Sequence, residues 1–311
     1  MAEVVVLGAS GFVGSTVVAA LRAAGADVTA LSAPRLRASS SPESAHWQHE
    51  MDRVGTACAG ATAVVNCAGI ADAAGIDEDA MIGANARLPE LVAQATDGMG
   101  VRLVHVSSCA VQGNRAVLDE SDETSPFSAY SRSKSDGERR LRGFGHVVIY
   151  RPPGVHDAGR AMTRALARLA ASPLSSVAAG GKRNAAQAQL ANVASAIVFL
   201  ALTPASPPRI VLHPSEGLTT HDLLLSLGGR EPRHVPLPLA RGLVTTLTLA
   251  GRRSSRLAAH SRRLETMWLG QCQGPSWLQT QGWEPPVALS GWRDIGRAAR
   301  SAQHQQSGEA S

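Results

Sequence analysis

The stretch that decides the fold is Val4-Val5-Val6-Leu7-Gly8-Ala9-Ser10-Gly11-Phe12-Val13-Gly14. Its apolar run closed by glycine predicts a buried strand, and the Ala/Val/Leu-rich residues 11–24 predict a helix. A Gly-x-x-Gly-x-x-Gly turn between strand and helix is typical of a dinucleotide site, because glycine permits the tight turn and the close approach of a pyrophosphate. The chain is therefore predicted to bind a dinucleotide at its start.

The rest of the first half alternates between strands and helices. We predict strands at 27–31, 63–66, 102–106, 146–150 and 209–212, and helices at 77–96, 128–141, 160–171 and 189–202. Residues 33–53 are polar, contain two prolines and predict a loop. This alternation favours an α/β fold, a Rossmann doubly wound parallel sheet. We expect a dinucleotide-binding domain at 1–155 with 188–213 returning to it, a smaller, mainly helical substrate lobe at 156–187 and 214–301, and a disordered tail at 302–311.

Composition narrows the class of function. The four cysteines are scattered without metal-ligand spacing, which favours a reducing cytoplasmic location and no metal site. The apolar stretch 237–250 is too short to span a bilayer, and no signal peptide is visible. The net charge of +5 suits an anionic small molecule better than nucleic acid, since no nucleic-acid-binding motif occurs.

The end of the second strand distinguishes the two nicotinamide cofactors. NAD enzymes usually carry an acidic residue about 20 residues past the glycine loop, where it binds the ribose 2′-hydroxyl. Here that position is Ser32, and Arg35 and Arg37 follow. The absence of an acidic residue and the presence of two nearby arginines favour binding of the 2′-phosphate of NADP. The alternative is that these two arginines, in a chain rich in arginine, are simply solvated. NADP(H) is therefore the favoured cofactor, with NAD(H) as the alternative.

Tyr130 and Lys134 are the main candidates for chemistry. They lie four residues apart on a predicted helix and so share one face. The chain has only two tyrosines and two lysines, which makes the pairing unusual. A nearby ammonium should lower the pKa of Tyr130 and prepare it for proton transfer. Ser108 follows the strand 102–106 at the edge where open sheets bind ligands, and it either polarises a carbonyl or satisfies the loop backbone.

These motifs together resemble the extended short-chain dehydrogenase/reductases. The resemblance also rests on Asn66-Cys67-Ala68-Gly69, Asn85, residues 105–113, 151–155 and 190–193, and Gly282-Trp283-Glu284-Pro285-Pro286. It implies Tyr130 as proton donor or acceptor, Lys134 as a ligand of the nicotinamide ribose, Ser108 as the carbonyl-polarising serine, and a homodimer through the helices bearing Asn85 and Tyr130. The cofactor contacts that it implies are Gly8, Ser10, Gly11, Phe12, Val13, Gly14, Ser32, Arg35, Arg37, Asn66, Cys67, Ala68, Gly69, Asn85, Tyr130, Lys134, Pro153 and Val155.

Some positions depart from the family pattern. Cys109 and Ala110 replace the acid pair of the 4,6-dehydratases, which argues against elimination chemistry. Gln112 replaces a usual tyrosine. The Gly-Asp pair usual at the third strand is absent, and that strand is expected to be reduced, which leaves the adenine contacts open. The position where nucleotide-sugar enzymes place a diphosphate-binding arginine is Ala185, two residues from Arg183.

Two further features have two readings each. The arginines at 252, 253, 256, 262 and 263 either bind an anion or form a solvated helix face. The leucines between 237 and 249 either line a hydrophobic substrate pocket or form the core of the smaller lobe.

The resulting hypothesis is an NADPH-dependent ketoreductase acting on a nucleotide-linked deoxysugar. The alternatives are a nucleotide-sugar epimerase with bound NAD, a reductase of a hydrophobic natural-product or sterol-like carbonyl, and a regulator that senses NADP(H). The regulator ranks last, because family members that lost catalysis usually lack the tyrosine or the lysine.

Overall fold

The computed structural model describes residues 1–71, 77–251, 261 and 264–308, with side chains as far as residue 302. Its central sheet has six parallel strands. In chain order they are β1 (Glu3–Leu7), β2 (Asp27–Leu31), β3 (Ala63–Asn66), β4 (Arg102–Val106), β6 (Val147–Arg151) and β10 (Ile210–Leu212). They are arranged β2-β1-β3-β4-β6-β10, so β2 forms an edge of the sheet. The predicted doubly wound parallel sheet is confirmed.

Helices cover both faces of this sheet. Since strand side chains alternate between faces, Val4 and Val6 pack towards α1 (Phe12–Ala23) and α7 (Leu190–Leu202). Val5 and Leu7 pack towards α2 (Ala45–Cys58), α4 (Leu88–Thr96) and the elements around α5 (Ala129–Arg140). The two apolar layers fix the sheet, and the carboxyl ends of its strands form the edge at which the candidate site lies.

A separate core joins three helices of the second half, α6 (Ala161–Ala171), α8 (Thr220–Gly228) and α11 (Gly291–Gly308). The remaining helices are α3 (Glu78–Ile82), α9 (Leu237–Gly251), α10 (Trp277–Thr280) and the residues 264–269. Short parallel pairs join β5 (Val117–Leu118) to β12 (Cys272–Gln273), β7 (Gly154–His156) to β9 (Gln187–Gln189), and β8 (Ser176–Ala178) to β11 (Arg233–Val235). None of the helices in the described ranges has the length and apolar content needed to cross a bilayer.

The prediction of a loop over 33–53 is wrong in its second part, because α2 begins at Ala45. Ser44 caps this helix by accepting a hydrogen bond from the Trp47 backbone N–H at 3.2 Å. The helix is polar overall, so its pattern is weak, but Trp47 is fully buried and donates from its indole to Gln94 at 2.9 Å. Tertiary packing against α4 therefore stabilises a helix that local propensity did not indicate.

Two other expectations need correction. The predicted helix 77–96 is interrupted by a π-helical turn at Gly83–Arg87, which carries Asn85 between α3 and α4. The predicted disordered tail is helical over 302–308, because α11 continues to Gly308.

Candidate active site

The glycine loop joins β1 to α1 in the predicted way. Gly8 has a φ of 76°, which favours glycine, and its carbonyl accepts the Gly11 N–H at 2.9 Å. A Cβ on Gly14 would overlap the carbonyl of Gly8, so α1 packs this closely only with glycine there. A cavity of about 390 Å³ opens beside the loop and is lined by Ser10, Gly11, Phe12, Ser15, Thr16, Asp157, Gly159 and Leu190. The loop therefore leaves room for an anionic group at the start of α1.

The two arginines expected near the end of β2 lie in different surroundings. Ser32 and Arg35 are exposed. Arg37 forms ion pairs with Asp77 and, at 3.3 Å, with Asp79. These carboxylates raise the pKa of Arg37, with the hydrogen bond to Asp77 as the largest cause. The positive charge of Arg37 is thus balanced by two acids.

Arg53 is a candidate cofactor residue that the sequence did not reveal. Its guanidinium donates to the carbonyl oxygen of Ser32 at 2.9 Å, and its partner Glu50 lies 2.7 Å away on the same helix. Arg53 is far from Ser32 in sequence and lies on α2, the helix that was predicted as loop. A correct assignment of α2 would have been the signal. A second cation therefore lies beside the position that distinguishes NADP from NAD.

The segment after β3 lies against the glycine loop. A Cβ on Gly8 would overlap the backbone of Ala68. The Cys67 N–H donates to the Leu7 carbonyl at 3.0 Å, and Asn66 Oδ1 accepts from the Ala68 N–H at 3.1 Å. The structure thus brings the predicted residues Asn66 to Gly69 to the edge of the loop.

Asn85 holds the continuation of that segment. Its side chain accepts from the Ile70 N–H and donates to the Ile70 carbonyl, both at 2.9 Å, and also donates to Ser133 Oγ at 3.0 Å. A Cβ on Gly69 would lie 2.8 Å from Asn85 Oδ1 and 3.1 Å from Lys134 Nζ. Asn85 is therefore placed to orient the backbone beside Lys134.

Lys134 is buried on α5, and its Nζ donates to the carbonyl of Val106 at 2.9 Å. Burial lowers the pKa of Lys134 to about 8, while the negative charge of Glu138 acts in the opposite direction. Such an ammonium can lose its proton near neutral pH, which an arginine at this position could not do.

Tyr130 lies one turn before Lys134, at the start of α5, where Ser128 caps the helix. Burial raises the pKa of Tyr130, and a hydrogen bond with Ser108, followed by the charge of Arg160, acts against that rise. The expectation that Lys134 lowers this pKa is therefore wrong for this arrangement. Desolvation dominates, and the Lys134 ammonium is engaged by the Val106 carbonyl. Ser108 and Tyr130 are nonetheless brought together, as the sequence predicted.

A buried ion pair between Arg151 and Glu138 stabilises the positions of Ser108 and Tyr130. Arg151 donates two hydrogen bonds to Glu138, at 3.0 and 2.6 Å, and a third to the Ser121 carbonyl at 2.7 Å. Ser107, the residue before Ser108, donates to Glu138 at 2.5 Å. The network fixes the ends of β4 and β6 to α5 and thereby fixes Ser108 against Tyr130.

His105 is a further neighbour that the sequence analysis did not single out. It lies opposite Asn66 in the register of β3 and β4, and it is fully buried. Burial and then the charge of Lys134 hold the pKa of His105 well below its usual value, so the ring is neutral. Within the described ranges, both His105 ring nitrogens and Asn66 Nδ2 have no hydrogen-bond partner. Unpaired polar atoms of His105 and Asn66 are therefore buried on the Lys134 side of the site.

The remaining predicted positions surround this centre. Pro153 is buried just before β7 and Val155 is buried within it, at the edge where the Cys109 N–H donates to the Pro152 carbonyl at 2.9 Å. Gln112 is buried and donates to Asp119 at 2.7 Å, so it stabilises the loop between residues 112 and 119.

The position of the family's diphosphate-binding arginine is not available to a substrate. Ala185 is buried in the core shared by α6, α8 and α11, while Arg183 is exposed. The arginines at 252, 253, 256, 262 and 263 lie outside the described residues. In the part of the chain that the structure describes, no group of three or more His, Cys, Asp or Glu side chains could hold a metal ion.

Comparison with known proteins identifies one matching family model, described as the RmlD substrate binding domain, over residues 1–216. A dTDP-4-dehydrorhamnose reductase of Mycobacterium tuberculosis is 31% identical over 105 residues. That match covers 31% of this chain and 34% of the relative, so the chain matches about a third of that relative's length.

Solved structures share the whole fold. A dTDP-4-dehydrorhamnose reductase from Bacillus anthracis in complex with NADP superposes with a TM-score of 0.64 at 16% identity, covering 96% of this chain and 98% of the other. UDP-glucuronic acid 4-epimerase from Bacillus cereus in complex with NAD gives a TM-score of 0.63 at 15% identity, covering 96% and 99%. At these identities the likeness shows the fold, and it is shared by a reductase and an epimerase.

Proposed function

Because the chain belongs to the family described as the RmlD substrate binding domain, we propose that it is an NADP(H)-dependent reductase of a keto group on a nucleotide-linked deoxysugar. The observation that carries the proposal is the convergence of Ser108, Tyr130 and Lys134 at the carboxyl edge of a sheet whose first strand ends in a glycine loop. Ligands of open parallel sheets bind at that edge. The relatives from Mycobacterium tuberculosis and Bacillus anthracis carry the name of such a reductase.

The residues present fit a nicotinamide dinucleotide. The glycine loop forms a cradle that a Cβ at Gly14 would fill, and the Lys134 end of the site retains unpaired buried polar atoms. Ser10 to Gly14 would hold the pyrophosphate, Asn66 to Gly69 and Asn85 would line the riboses, and Pro153 and Val155 would contact the nicotinamide. When bound, the reduced cofactor supplies a hydride to the carbonyl carbon.

The chain's own residues supply the proton and the orientation. Ser108 donates a hydrogen bond to the substrate carbonyl oxygen and thereby polarises it. Tyr130 transfers its phenolic proton to that oxygen as it becomes a hydroxyl, and the tyrosine is then reprotonated from solvent. Lys134 would hold the nicotinamide ribose through its ammonium.

The NADP preference rests on the end of β2. We propose that Arg53 and Arg35 bind the 2′-phosphate. Arg53 contacts the Ser32 carbonyl and pairs with one acid, Glu50, whereas Arg37 pairs with two, Asp77 and Asp79. Guanidinium groups suit a phosphate through paired, charge-assisted hydrogen bonds.

The proposal also covers domain organisation and oligomeric state. Residues 156–187 and 214–301 would form a substrate lobe, and two copies of the chain would form a homodimer through the helices that bear Asn85 and Tyr130. It places the enzyme in the reducing cytoplasm, which suits four cysteines that are all unpaired. Sedimentation of the purified protein would give its oligomeric state.

The decisive experiment follows NADPH absorbance with dTDP-4-dehydrorhamnose as first substrate and Tyr130→Phe as the matched inactive variant. The proposal expects one NADPH oxidised for each sugar reduced, with turnover lost in the variant. An epimerase is the second candidate, because the balanced charge of Arg37 weakens the case for a 2′-phosphate. Formation of a sugar isomer at constant NADPH would establish it and overturn the reductase.

A further inference from the structure

Arg160 reaches from the segment after β7 back to the glycine loop. Its guanidinium lies over the ring of Phe12, 5.0 Å from the ring centroid, and Phe12 is the first residue of α1. It also donates a hydrogen bond to the carbonyl of Val155. Two contacts therefore fix its orientation. One is with Phe12, at the end of the glycine loop, and the other is with Val155 on β7, the strand that borders the proposed nicotinamide position.

The residues around Arg160 border the cavity of the glycine loop. Asp157 and Gly159 form one wall, and Ser10, Gly11 and Phe12 form the opposite one. The Asp157 carboxylate is the acidic group on this wall, and it accepts the Gly159 N–H at 2.9 Å. Arg160 follows Gly159 in the chain and contacts Phe12, so its cation is adjacent to two of the residues that line this cavity.

The charge of Arg160 also acts on the proposed catalytic residue Tyr130. It lowers the pKa of Tyr130, after burial and the hydrogen bond with Ser108, and it also lowers the pKa of His156. A guanidinium in contact with Phe12 therefore lies within electrostatic range of the Tyr130 hydroxyl. Its contact with Phe12 puts it beside the glycine loop, and its effect on the pKa of Tyr130 indicates that it also acts on the group that would face the nicotinamide.

We propose that Arg160 binds the pyrophosphate of the cofactor, on the phosphate nearer the nicotinamide, and so acts as a positioning residue for hydride transfer. The inference rests on the proposed function. Arg160 lies outside the motifs that carry the family resemblance, and it would complement the backbone N–H groups of the loop with a charge-assisted, two-pronged contact.

The test compares two ligands that differ at the nicotinamide end. NADPH has both phosphates of the pyrophosphate, whereas 2′,5′-ADP has only the phosphate nearer the adenosine. Affinities are measured by fluorescence or calorimetric titration for the wild type, Arg160→Gln, Arg160→Lys and the control Arg168→Gln, an exposed arginine further along α6. We expect Arg160→Gln to weaken NADPH at least tenfold and 2′,5′-ADP less than twofold, with partial recovery in Arg160→Lys and no effect in Arg168→Gln.

Other outcomes would overturn the inference. Equal NADPH affinity in Arg160→Gln and the wild type would show that the guanidinium only packs on Phe12. Parallel loss of both ligands would show that Arg160 shapes the whole loop and does not bind one phosphate. In either case NADPH binding by the wild type would leave the proposed function intact. A wild type that binds neither ligand would instead remove the proposed cofactor, and this inference with it.

Discussion

Lys134 Nζ donates a hydrogen bond to the carbonyl oxygen of Val106 at 2.9 Å, and this contact joins α5 to the end of β4. Tyr130 lies one turn earlier on that helix, and Ser108 lies two residues past Val106, the last residue of that strand. The contact therefore helps to fix the distance between the proposed proton donor and the proposed carbonyl-polarising serine. It also keeps a cation in a buried place, which has consequences for both activity and stability.

Cofactor affinity should fall as the pH rises through about 8, the pKa of Lys134. Below that pH the ammonium is charged and can hold the ribose, and above it the charge is lost. The cofactor's own phosphates do not titrate there, because the second pKa of a phosphate monoester is about 6. NADPH titrations from pH 6 to 10 measure the effect. Lys134→Arg should bind more weakly but show no decline above pH 8, and a decline in both proteins would exclude Lys134 as its source.

Replacing Lys134 by methionine should abolish turnover and stabilise the fold. A folded-state pKa below the ordinary lysine value of 10.5 means that the charged form is disfavoured by folding. The penalty is fully present below about pH 8 and is relieved as the pH rises towards the unfolded-state value. At pH 7 the gain is up to about 3 kcal/mol, less the lost hydrogen bond to Val106. Urea denaturation measures it, with Lys182→Met as control, since Lys182 is exposed. A less stable Lys134→Met protein would contradict the prediction.

Removing the Tyr130 hydroxyl should lower kcat by roughly 10²–10⁴-fold, the usual contribution of a general acid. NADPH affinity should change little in Tyr130→Phe, because the phenol acts on the substrate oxygen. The chain's other tyrosine provides the control. Tyr150 is buried and pairs with His213 at 2.6 Å, so Tyr150→Phe should cost stability, about 1–3 kcal/mol, and leave kcat nearly unchanged. Similar kcat losses in both variants would refute the assignment.

Glu138→Gln should destabilise the protein by about 3–5 kcal/mol, because it leaves the fully buried Arg151 guanidinium without its counter-charge. Differential scanning calorimetry or denaturant titration would show the loss. Asp294→Asn removes a carboxylate from an exposed pair with Arg297 and should cost less than about 1 kcal/mol. Equal effects of the two substitutions would mean that the buried pair contributes little.

Arg53→Ala should reduce the preference for NADPH over NADH at least tenfold, since it removes the cation beside Ser32. Arg37→Ala should change the ratio less than twofold, because two carboxylates, Asp77 and Asp79, engage its charge, whereas Arg53 pairs with Glu50 alone and contacts Ser32. Titrations with both cofactors measure the ratio for each variant and for Arg35→Ala. A larger effect of Arg37 than of Arg53 would restore the assignment that the sequence alone favoured.

Sequence reasoning was accurate where the signal is local. The glycine spacing, the alternation of strands and helices, and the i,i+4 pair on α5 depend on residues close together in the chain. It failed at α2, whose helical form depends on Trp47 being buried against α4, and at the tail, where 302–308 continue a helix. It also separated Arg53 from Ser32, because those residues meet only through the position of α2.

The sequence by itself determined the parallel sheet, the glycine loop and the identity of the Tyr130–Lys134 pair, because hydrophobic periodicity and short-range spacing specify them. Only the tertiary structure decided that Arg53 contacts Ser32 at the end of β2, that Arg160 lies over the Phe12 ring, and in which direction the pKa of Tyr130 moves. Those properties depend on burial and on charges from distant parts of the chain, and neither quantity exists until the elements are packed together.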